Sequence, residues 1–363
     1  MELARALHRK KWRLGVACTC GPAARRIRRE GFSVFPVDFC RESLDPRAVF
    51  RSLCQIRKAV SKFQPDLLVA VALRPILLLP LIRIGTRAAA VNLLNGFGSL
   101  ASGTHLPAWL RPASWCLRSL LGFAVSRTNS WTVTQNEADY QEARRLSGKA
   151  SARVLKIPGT GISFPPRPLF VRPSPGRTRF LFVGRLLRDK GILELLEAFV
   201  RINKRYPDTL LEVIGTIDPA NPASLTAANL KPWKEIPKIS WLGHRKDVPE
   251  RMKAADCVVI PSYREGFPRV LLEAAAAVRP VIVSDIPGCR ELVDPGKTGL
   301  IFSSRNISEL AAAMEQIHLQ PALRERLALG LFRKAKSKCS IAHVSKAYEN
   351  LFQRALRAGH PRG

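Results

Sequence analysis

Two cations in the second half of the chain stand where both charges can act on one ligand. Arg185 and Lys190 follow the apolar run Phe180–Val183 and Gly184, and an apolar helical pattern begins at Ile192. The spacing predicts a buried strand, a tight turn and a helix. The start of such a helix presents unpaired backbone N–H groups and the positive end of the helix dipole. With Arg185 and Lys190 beside it, the turn suits a diphosphate group.

Two glutamates eight positions apart follow a later strand pattern. Glu265 lies in a glycine-bearing loop after the apolar run Ala255–Ile260, and Glu273 lies in the alanine-rich helix that comes next. Carboxylates accept hydrogen bonds from hydroxyl groups, so this pair suits the hydroxyl-bearing ends of a sugar nucleotide. Glu273 can also be an ordinary charge on a helix surface. Its neighbours Leu271 and Leu272 favour a buried place, where an acid needs a partner.

Strand and helix patterns alternate along the chain, and these elements must position the four charges. Short runs rich in branched and aromatic residues predict strands at Leu14–Cys18, Ser33–Val37, Leu67–Val71, Ala89–Leu93, Trp131–Thr134, Val154–Ile157, Arg179–Val183, Leu210–Ile214, Ile239–Leu242, Cys257–Pro261, Val281–Ser284 and Gly299–Phe302. Longer runs predict helices between them, as at Pro46–Phe63, Glu137–Leu146 and Ile192–Tyr206. Alternating strands and helices form right-handed βαβ units, so we predict an α/β fold with parallel sheets.

A proline- and glycine-rich stretch divides the pattern into two halves. Residues 158–177 contain six prolines and three glycines, which is typical of a linker. We therefore expect two doubly wound, Rossmann-like domains at residues 1–170 and 171–340. A C-terminal helix over residues 341–363 is expected to pack back toward the first domain. In such folds a ligand binds in the crevice at the carboxyl ends of the strands.

The charge balance indicates an anionic partner. The 363 residues include 59 Lys and Arg against 28 Asp and Glu, a formal net charge of +31. Residues 1–177 carry 29 basic and 9 acidic residues, whereas residues 178–363 carry 30 and 19. The clusters Arg9–Arg13 and Arg25–Arg29 can be solvated faces, but the excess in the first half favours an anionic membrane surface. Nucleic acid is not expected, because the basic clusters lack interleaved aromatic residues.

Cysteine spacing and the apolar runs argue against a zinc or disulfide framework, a signal peptide and a membrane span. The eight cysteines form no Cys-x-x-Cys pair, so we expect reduced thiols rather than zinc ribbons or a disulfide framework. The N-terminal basic cluster follows the first apolar residues, unlike a signal peptide. The apolar run Leu67–Ile82 is shorter than the ~20 residues that span a bilayer. We expect a buried strand there, a break at Arg74-Pro75 and the start of a helix, with a re-entrant membrane segment as the alternative.

The motifs together resemble family 4 glycosyltransferases, which have the GT-B fold. The family pattern E-x7-E is present as Glu265 and Glu273, and G-R-x4-K-G is present from Gly184 to Gly191. The segments Ser284–Val293 and Gly296–Leu300 also resemble family segments. The resemblance covers most of residues 178–340, with the motifs in the family's order.

Within the family, other segments are similar to the capsule and lipid-linked oligosaccharide branch. These are Phe39–Pro46, Asn95–Ser99, Asp218–Ser224 and Pro261–Val270. The members of that branch that the chain most resembles transfer α-linked N-acetylgalactosamine to a diacetylbacillosamine-diphospho-undecaprenol acceptor. The resemblance therefore implies a lipid-diphosphate-linked acceptor and a peripheral place on the inner face of a bacterial cytoplasmic membrane. Neither the donor sugar nor the oligomeric state follows from the sequence.

The resemblance also implies a reaction and a role for each site residue. It implies transfer from a UDP-sugar with retention of anomeric configuration, and no tightly bound cofactor. Arg185 and Lys190 would bind the diphosphate and stabilise the departing UDP, Glu265 would contact donor-sugar hydroxyls, and Glu273 would accept from the ribose. The remaining implied donor contacts are Gly184, Gly243, His244, Gly266, Phe267, Pro268, Arg269 and Val270. No Asp-x-Asp occurs, so no metal is expected on the diphosphate. As catalytic bases, the lone histidines His244 and His105 are weak candidates.

The sequence departs from the family pattern at its start. Family members begin with a strand and a glycine-rich loop before the first helix, whereas here Met1 falls where that helix should begin. We therefore expect a first domain that lacks its first strand, through either a misassigned start or a real truncation. The alternative function that this implies is a catalytically impaired paralogue that acts as a membrane-surface binding protein.

Overall fold

The chain forms two compact units. The computed structural model describes residues 2–38, 45–97, 111–126, 130–171 and 177–359, with the backbone alone at 111–114. The first unit comprises Met1–Gly161 together with Ile341–Gly363, and the second unit comprises Ile162–Ser340. Parts of the motif segments Phe39–Pro46 and Asn95–Ser99, and the whole of His105, lie outside the described residues.

The described residues of the first unit form two parallel sheets. Its strands are β1 (Gly15–Cys18), β2 (Ser33–Pro36), β3 (Leu67–Val71), β4 (Ala89–Leu94), β5 (Ser130–Thr134) and β6 (Val154–Lys156). Its helices before the second unit are α1 (Glu2–Arg9), α2 (Pro22–Arg29), α3 (Pro46–Phe63), α4 (Leu73–Ile82), α5 (Arg111–Ser126) and α6 (Glu137–Ser147). In the described residues, β1 pairs with β2, and β3, β4, β5 and β6 form a separate sheet in that order.

Local signals fix both ends of α3. Asp45 caps α3, because its side chain accepts a hydrogen bond from the backbone N–H of Arg47 at 3.0 Å. Pro46 occupies the first helical position, where its missing N–H and fixed φ suit a helix start. Gln64 ends the helix in the left-handed conformation at φ 49°, a frequent way to terminate a helix.

The second unit is built on one continuous sheet of six parallel strands. They are β7 (Thr178–Val183), β8 (Thr209–Ile214), β9 (Ile239–Gly243), β10 (Cys257–Ile260), β11 (Val281–Ser284) and β12 (Leu300–Phe302). The helices are α7 (Ile192–Arg205), α8 (Ala227–Lys234), α9 (Val248–Ala254), α10 (Arg269–Ala276), α11 (Pro287–Arg290), α12 (Ile307–Leu319) and α13 (Pro321–Cys339). Both faces of the sheet are covered, because Phe180 and Leu181 belong to different buried clusters and neither is exposed.

The strand order of the second unit contains a switch point. The order is β12-β11-β10-β7-β8-β9, so the chain builds outward from β7 on one side and from β10 on the other. In open α/β sheets, ligands bind outside the carboxyl ends of the strands at the place where the strand order reverses. The loops that follow β7 and β10 therefore flank the preferred ligand position in this sheet.

A last helix, α14 (Ile341–Gly359), belongs to the first unit. Its Tyr348 and Phe352 are buried with Leu7 of α1 and with Ala89 and Val91 of β4. Parallel strands need apolar cover on both faces. On the opposite face of this sheet, α4 and α5 supply that cover.

The predicted strands are confirmed to within a residue or two at each end. One boundary prediction is wrong: the break after β3 lies at Ala72, with φ 73°, rather than at Arg74-Pro75. Both residues lie in the first turn of α4, where a proline is tolerated because early helical N–H groups have no partner within the helix. Among the described residues, no helix has both the length and the apolar character required to cross a bilayer.

Candidate active site

The turn after β7 is held tightly against the loop after β10. Arg188–Lys190 form a 3₁₀ turn, and Gly191 follows in the left-handed region at φ 66°. A Cβ atom at Gly191 would lie 2.0 Å from the carbonyl oxygen of Pro261, so only glycine fits. Tyr263 N–H also donates to the carbonyl of Asp189 at 2.8 Å. Backbone contacts thus join the two loops that flank the switch point.

Lys190 and Glu265 meet at this junction. The ammonium group of Lys190 forms a short ion pair with Oε1 of Glu265. Ser262 Oγ donates to the same carboxylate oxygen at 3.0 Å. The side chains of Lys190 and Glu265 are 24% and 19% exposed, so the pair is sheltered but within reach of a ligand. The structure therefore brings together two of the predicted residues, which are 75 positions apart in the sequence.

Arg185 lies in the same turn but has a different partner. Its NH1 group is 2.6 Å from Oδ2 of Asp218, and the Arg185 side chain is half exposed. The backbone N–H of Asp218 in turn donates to Ser224 Oγ at 2.9 Å. Asp218 was noted in the sequence only as part of a loop, and nothing local identified it as the partner of Arg185. Each predicted cation thus carries a carboxylate partner.

Glycines let the ends of the three strands on one side of the sheet approach closely. A Cβ atom at Gly215 would lie 1.8 Å from the carbonyl oxygen of Gly184. The N–H of Gly215 donates to the carbonyl of Gly243 at 2.9 Å. His244 follows Gly243 at the end of β9 and is exposed. Gly184, Gly243 and His244 therefore share the carboxyl edge of the sheet with Lys190, although β9 is two strands away from β7.

The loop from Gly266 to Pro268 leads directly into α10. Phe267 and Val270 are partly buried against the core, whereas Arg269 is exposed. Arg269 Nε donates to Oε1 of Glu273 at 2.7 Å, one helical turn away. Glu273 is therefore neither buried nor unpartnered, and its side chain is 29% exposed. This location corrects the expectation that its leucine neighbours would draw it into the core.

Close packing also fixes the backbone of the loop. A Cβ atom at Gly288 in α11 would lie 2.4 Å from the carbonyl oxygen of Glu265 and 2.8 Å from that of Gly266. The helix after β11 therefore presses on the loop after β10. Because a packed interior resists deformation, the Glu265 backbone is held by neighbours on both sides.

A partly buried pair that sequence reasoning missed supports the same loop. The hydroxyl of Tyr263 donates a short hydrogen bond to Oε1 of Glu194 in the first turn of α7. Burial and this acceptor raise the pKa of Tyr263. The guanidinium carbon of Arg305 lies 4.3 Å from the centre of the Tyr263 ring, a favourable cation–π distance. The three residues are far apart in sequence, so no local signal could have joined them.

The arrangement brings cations, backbone amides and carboxylates to one edge of the sheet, where together they could bind an anion and hydroxyl groups. Lys190, Arg185 and the N–H groups near Gly191 supply positive charge, and Glu265 and Glu273 supply acceptors. Among the described residues, no group of three or more His, Cys, Asp or Glu side chains could hold a metal ion.

Comparisons with known proteins place the chain among glycosyltransferase sequences. Residues 171–329 match the family profile "Glycosyl transferases group 1". The chain is 27% identical over 268 residues to a glycogen synthase of Mycobacterium tuberculosis, covering 71% of this chain but only 64% of that protein. It is 25% identical to the Campylobacter jejuni N,N'-diacetylbacillosaminyl-diphospho-undecaprenol alpha-1,3-N-acetylgalactosaminyltransferase, over 98% of this chain and 95% of that protein.

A solved structure shows the same fold. The chain superposes on Anabaena Alr3699/HepE in complex with UDP with a TM-score of 0.77 and 17% identity, covering 97% of this chain and 96% of that one. The prediction of a GT-B fold with parallel, Rossmann-like sheets is therefore confirmed. The sheet switch point and the family match fall on the same part of the chain, because residues 171–329 include every strand of the second unit.

Proposed function

We propose, from the membership of residues 171–329 in the glycosyl transferases group 1 family, that the chain transfers a sugar from a UDP-sugar donor. The proposed acceptor is an undecaprenyl-diphosphate-linked saccharide in the synthesis of a surface polysaccharide or glycan, and the proposed donor sugar is an N-acetylhexosamine or a hexose. The observation that carries the proposal is the Lys190–Glu265 pair at the sheet switch point.

The two cations would change partners when the donor binds. A diphosphate brings more negative charge than either carboxylate and accepts several charge-assisted hydrogen bonds. Arg185 would leave Asp218, with which it shares a half-exposed contact, and Lys190 would turn from Glu265 to the phosphates. As the bond from the sugar to UDP breaks, the cations would stabilise the charge that builds on UDP, without a reorganisation of water.

Glu265 would then be available for the donor sugar. Ser262 holds one of its oxygens at 3.0 Å, and the packing of Gly288 fixes its backbone, so the carboxylate would stay in place after Lys190 leaves it. Glu273 would accept from the ribose hydroxyls, because it lies on the first turns of α10 and is open to solvent. The backbone N–H groups of the Gly266–Val270 segment, other than at Pro268, would approach the donor. Gly243 and His244 would lie near the base.

The acceptor and the setting are proposed from the Campylobacter relative, whose name specifies a diphospho-undecaprenol substrate. The similarity to that relative covers nearly the whole chain, whereas the similarity to the glycogen synthase covers 71% of it. The first similarity therefore carries more weight, and it supports a lipid-diphosphate acceptor. An acceptor embedded in a membrane requires the enzyme to work at the lipid surface. We place it peripherally on the inner face of the bacterial cytoplasmic membrane, and we expect retention of the anomeric configuration.

A panel of donors and acceptors tests the proposal. Purified full-length chain would be incubated with UDP-glucose, UDP-galactose, UDP-N-acetylglucosamine and UDP-N-acetylgalactosamine, each with a saccharide linked to undecaprenyl diphosphate. Mass spectrometry should detect one hexose or N-acetylhexosamine added, and NMR of the product should show the donor's anomeric configuration. The same saccharide without the lipid diphosphate is the control acceptor. Absence of product with every donor would contradict the proposal.

A further inference from the structure

Helix α5 of the first unit is apolar on its outer side as well as its inner side. Leu121, Ala124 and Val125 face the core and are buried. On the opposite side, the large side chains Trp115, Leu120 and Phe123 are 73%, 53% and 54% exposed. A helix on the surface of a globular protein usually turns polar residues outward. This second apolar face therefore indicates a surface that binds an apolar partner.

The charges around this helix indicate the nature of the partner. Residues 67–136 contain six arginines and no aspartate or glutamate. This stretch runs from β3 through α5 to the end of β5, so α5 lies within a segment that is both apolar and purely cationic. Helix α5 itself contains no Asp or Glu, and its Arg118 is ion-paired with Glu142 of α6. An apolar and anionic surface matches both features.

We infer that the outer face of α5, defined by Trp115, Leu120 and Phe123, docks on an anionic lipid bilayer. The helix would lie in the plane of the membrane interface, with its apolar side chains in the boundary between headgroups and acyl chains. Trp115 suits this position because its indole combines an apolar ring with a polar N–H group. The inference rests on the proposed function in one respect: it identifies the residues by which that enzyme would reach its lipid-linked acceptor.

Lipid fits this face better than a second copy of the chain. A copy of this protein would bring its own excess of arginines to the contact, and like charges oppose such pairing. An anionic leaflet attracts the same arginines, with ~1 kcal/mol for each basic residue near the surface. The apolar side chains and the cations then both favour binding to the leaflet.

Vesicle flotation tests the inference. The full-length chain is expected to float with vesicles of phosphatidylglycerol and phosphatidylethanolamine, and to float less with phosphatidylcholine. The double substitution Leu120→Ser with Phe123→Ser should lower the partition coefficient on anionic vesicles at least about tenfold, because two large apolar side chains no longer enter the interface. Leu319→Ser is the matched control, since Leu319 is 55% exposed on α12 of the second unit. Equal flotation of the double variant and the wild type would overturn the inference.

A second measurement does not require a substitution on the face. Cys116 is exposed beside Trp115, and Cys54 is exposed on α3. A polarity-sensitive dye on Cys116 should shift to the blue on addition of anionic vesicles, more than the same dye on Cys54 in the corresponding single-cysteine variant. No shift at Cys116 would overturn the inference. A dimer in sedimentation experiments that the double substitution splits, without a change in flotation, would assign the face to a second copy.

An assay away from membranes separates this inference from the proposed function. The double variant should transfer sugar to a short-chain, water-soluble lipid-diphosphate acceptor at the wild-type rate, and should lose rate with the vesicle-bound acceptor. If no form of the chain transfers sugar but flotation depends on Leu120 and Phe123, the proposed function fails and the docking face stands. If transfer is normal and flotation is unaffected by the substitutions, the docking face fails alone.

Discussion

The two units of the chain have the same kind of fold, but their sheets differ in continuity and in the burial of their strands. In the second unit, six parallel strands form one sheet, and every residue of β10 and β11 is buried. In the first unit, the described strands form two sheets, and β3 lies at an edge with Val69 and Val71 exposed at 40% and 46%. A closed, two-sided core can hold loops in fixed positions, whereas open edges and exposed apolar side chains favour contact with something outside the unit.

This difference separates two tasks. Under the proposed function, the second unit carries side chains that must be positioned precisely, since electrostatic stabilisation of a departing group depends on preorganised geometry. The first unit carries an apolar, cationic surface, for which exact placement matters less than area and charge. Changes to the second unit should therefore affect chemistry most, and changes to the first unit should affect stability or surface binding.

The largest effect is expected for Lys190→Ala. Loss of one charge that stabilises the departing UDP should lower the transfer rate by roughly 10²- to 10³-fold, with the fold retained. Lys334→Ala is the matched control. Lys334 lies on α13, forms an ion pair with Asp294, and has a side chain that is 19% exposed. Initial rates at saturating donor would be compared. Near-normal turnover of Lys190→Ala would mean that the second unit does not hold the diphosphate where we place it.

A glycine that joins two loops gives the next effect. Gly191→Ala places a Cβ atom 2.0 Å from the Pro261 carbonyl and should lower the free energy of unfolding by ~2–4 kcal/mol, through overpacking and backbone strain. Gly296→Ala is the control, since Gly296 has a similar φ of 70° but no atom within 4 Å of the added Cβ. It should cost only ~1 kcal/mol. Thermal or denaturant unfolding measures the loss of stability in both variants. Equal losses would show that the contact between Gly191 and Pro261 adjusts to a Cβ atom at little cost.

A smaller effect is expected for Tyr263→Phe. The substitution removes the hydroxyl that donates to Glu194 and leaves a partly buried carboxylate without this donor, at a cost of ~1–3 kcal/mol. Because Tyr263 would position Glu265 rather than touch the donor, kcat should fall while the KM for the UDP-sugar changes little. Glu194→Gln should recover part of the loss in the Tyr263→Phe background. A raised KM with unchanged kcat would contradict a positioning role.

The smallest effect belongs to the first unit. Arg5 donates to both oxygens of Glu30, at 2.9 and 2.7 Å, and this hydrogen bonding lowers the pKa of Glu30 to about 2. A lowered pKa stabilises the fold above the ordinary pKa of glutamate, about 4.3, and the contribution is lost as the pH falls toward 2. Glu30→Gln should therefore be less stable than the wild type at pH 6 and equal to it near pH 2. Urea unfolding at the two pH values checks this. If the free energies of unfolding of variant and wild type differ equally at both pH values, the Arg5–Glu30 pair is not the source of the difference.

The sequence predicted the parts of the fold and site that depend on neighbours along the chain. Strands such as β3 and β11 follow from short apolar runs, and the turn holding Arg185 and Lys190 follows from a strand pattern beside a helix pattern. The Arg185–Asp218 and Tyr263–Glu194 contacts could not be predicted, because each joins residues that only the sheet brings together. For Glu273, reasoning from neighbours along the chain gave a wrong prediction. Its leucine neighbours indicated burial, but a helix turns adjacent residues to different sides.

The position of α14 has a consequence for the order in which a newly made chain can mature. Tyr348 and Phe352 complete the core around β4, yet they are synthesised after the whole of the second unit, which is one continuous segment from Ile162 to Ser340. As domains generally fold as units during synthesis, the unit that begins first has to wait for its final helix. A nascent chain stalled just after Ser340 leaves the ribosome should resist protease across the second unit while its earlier segment is still cut.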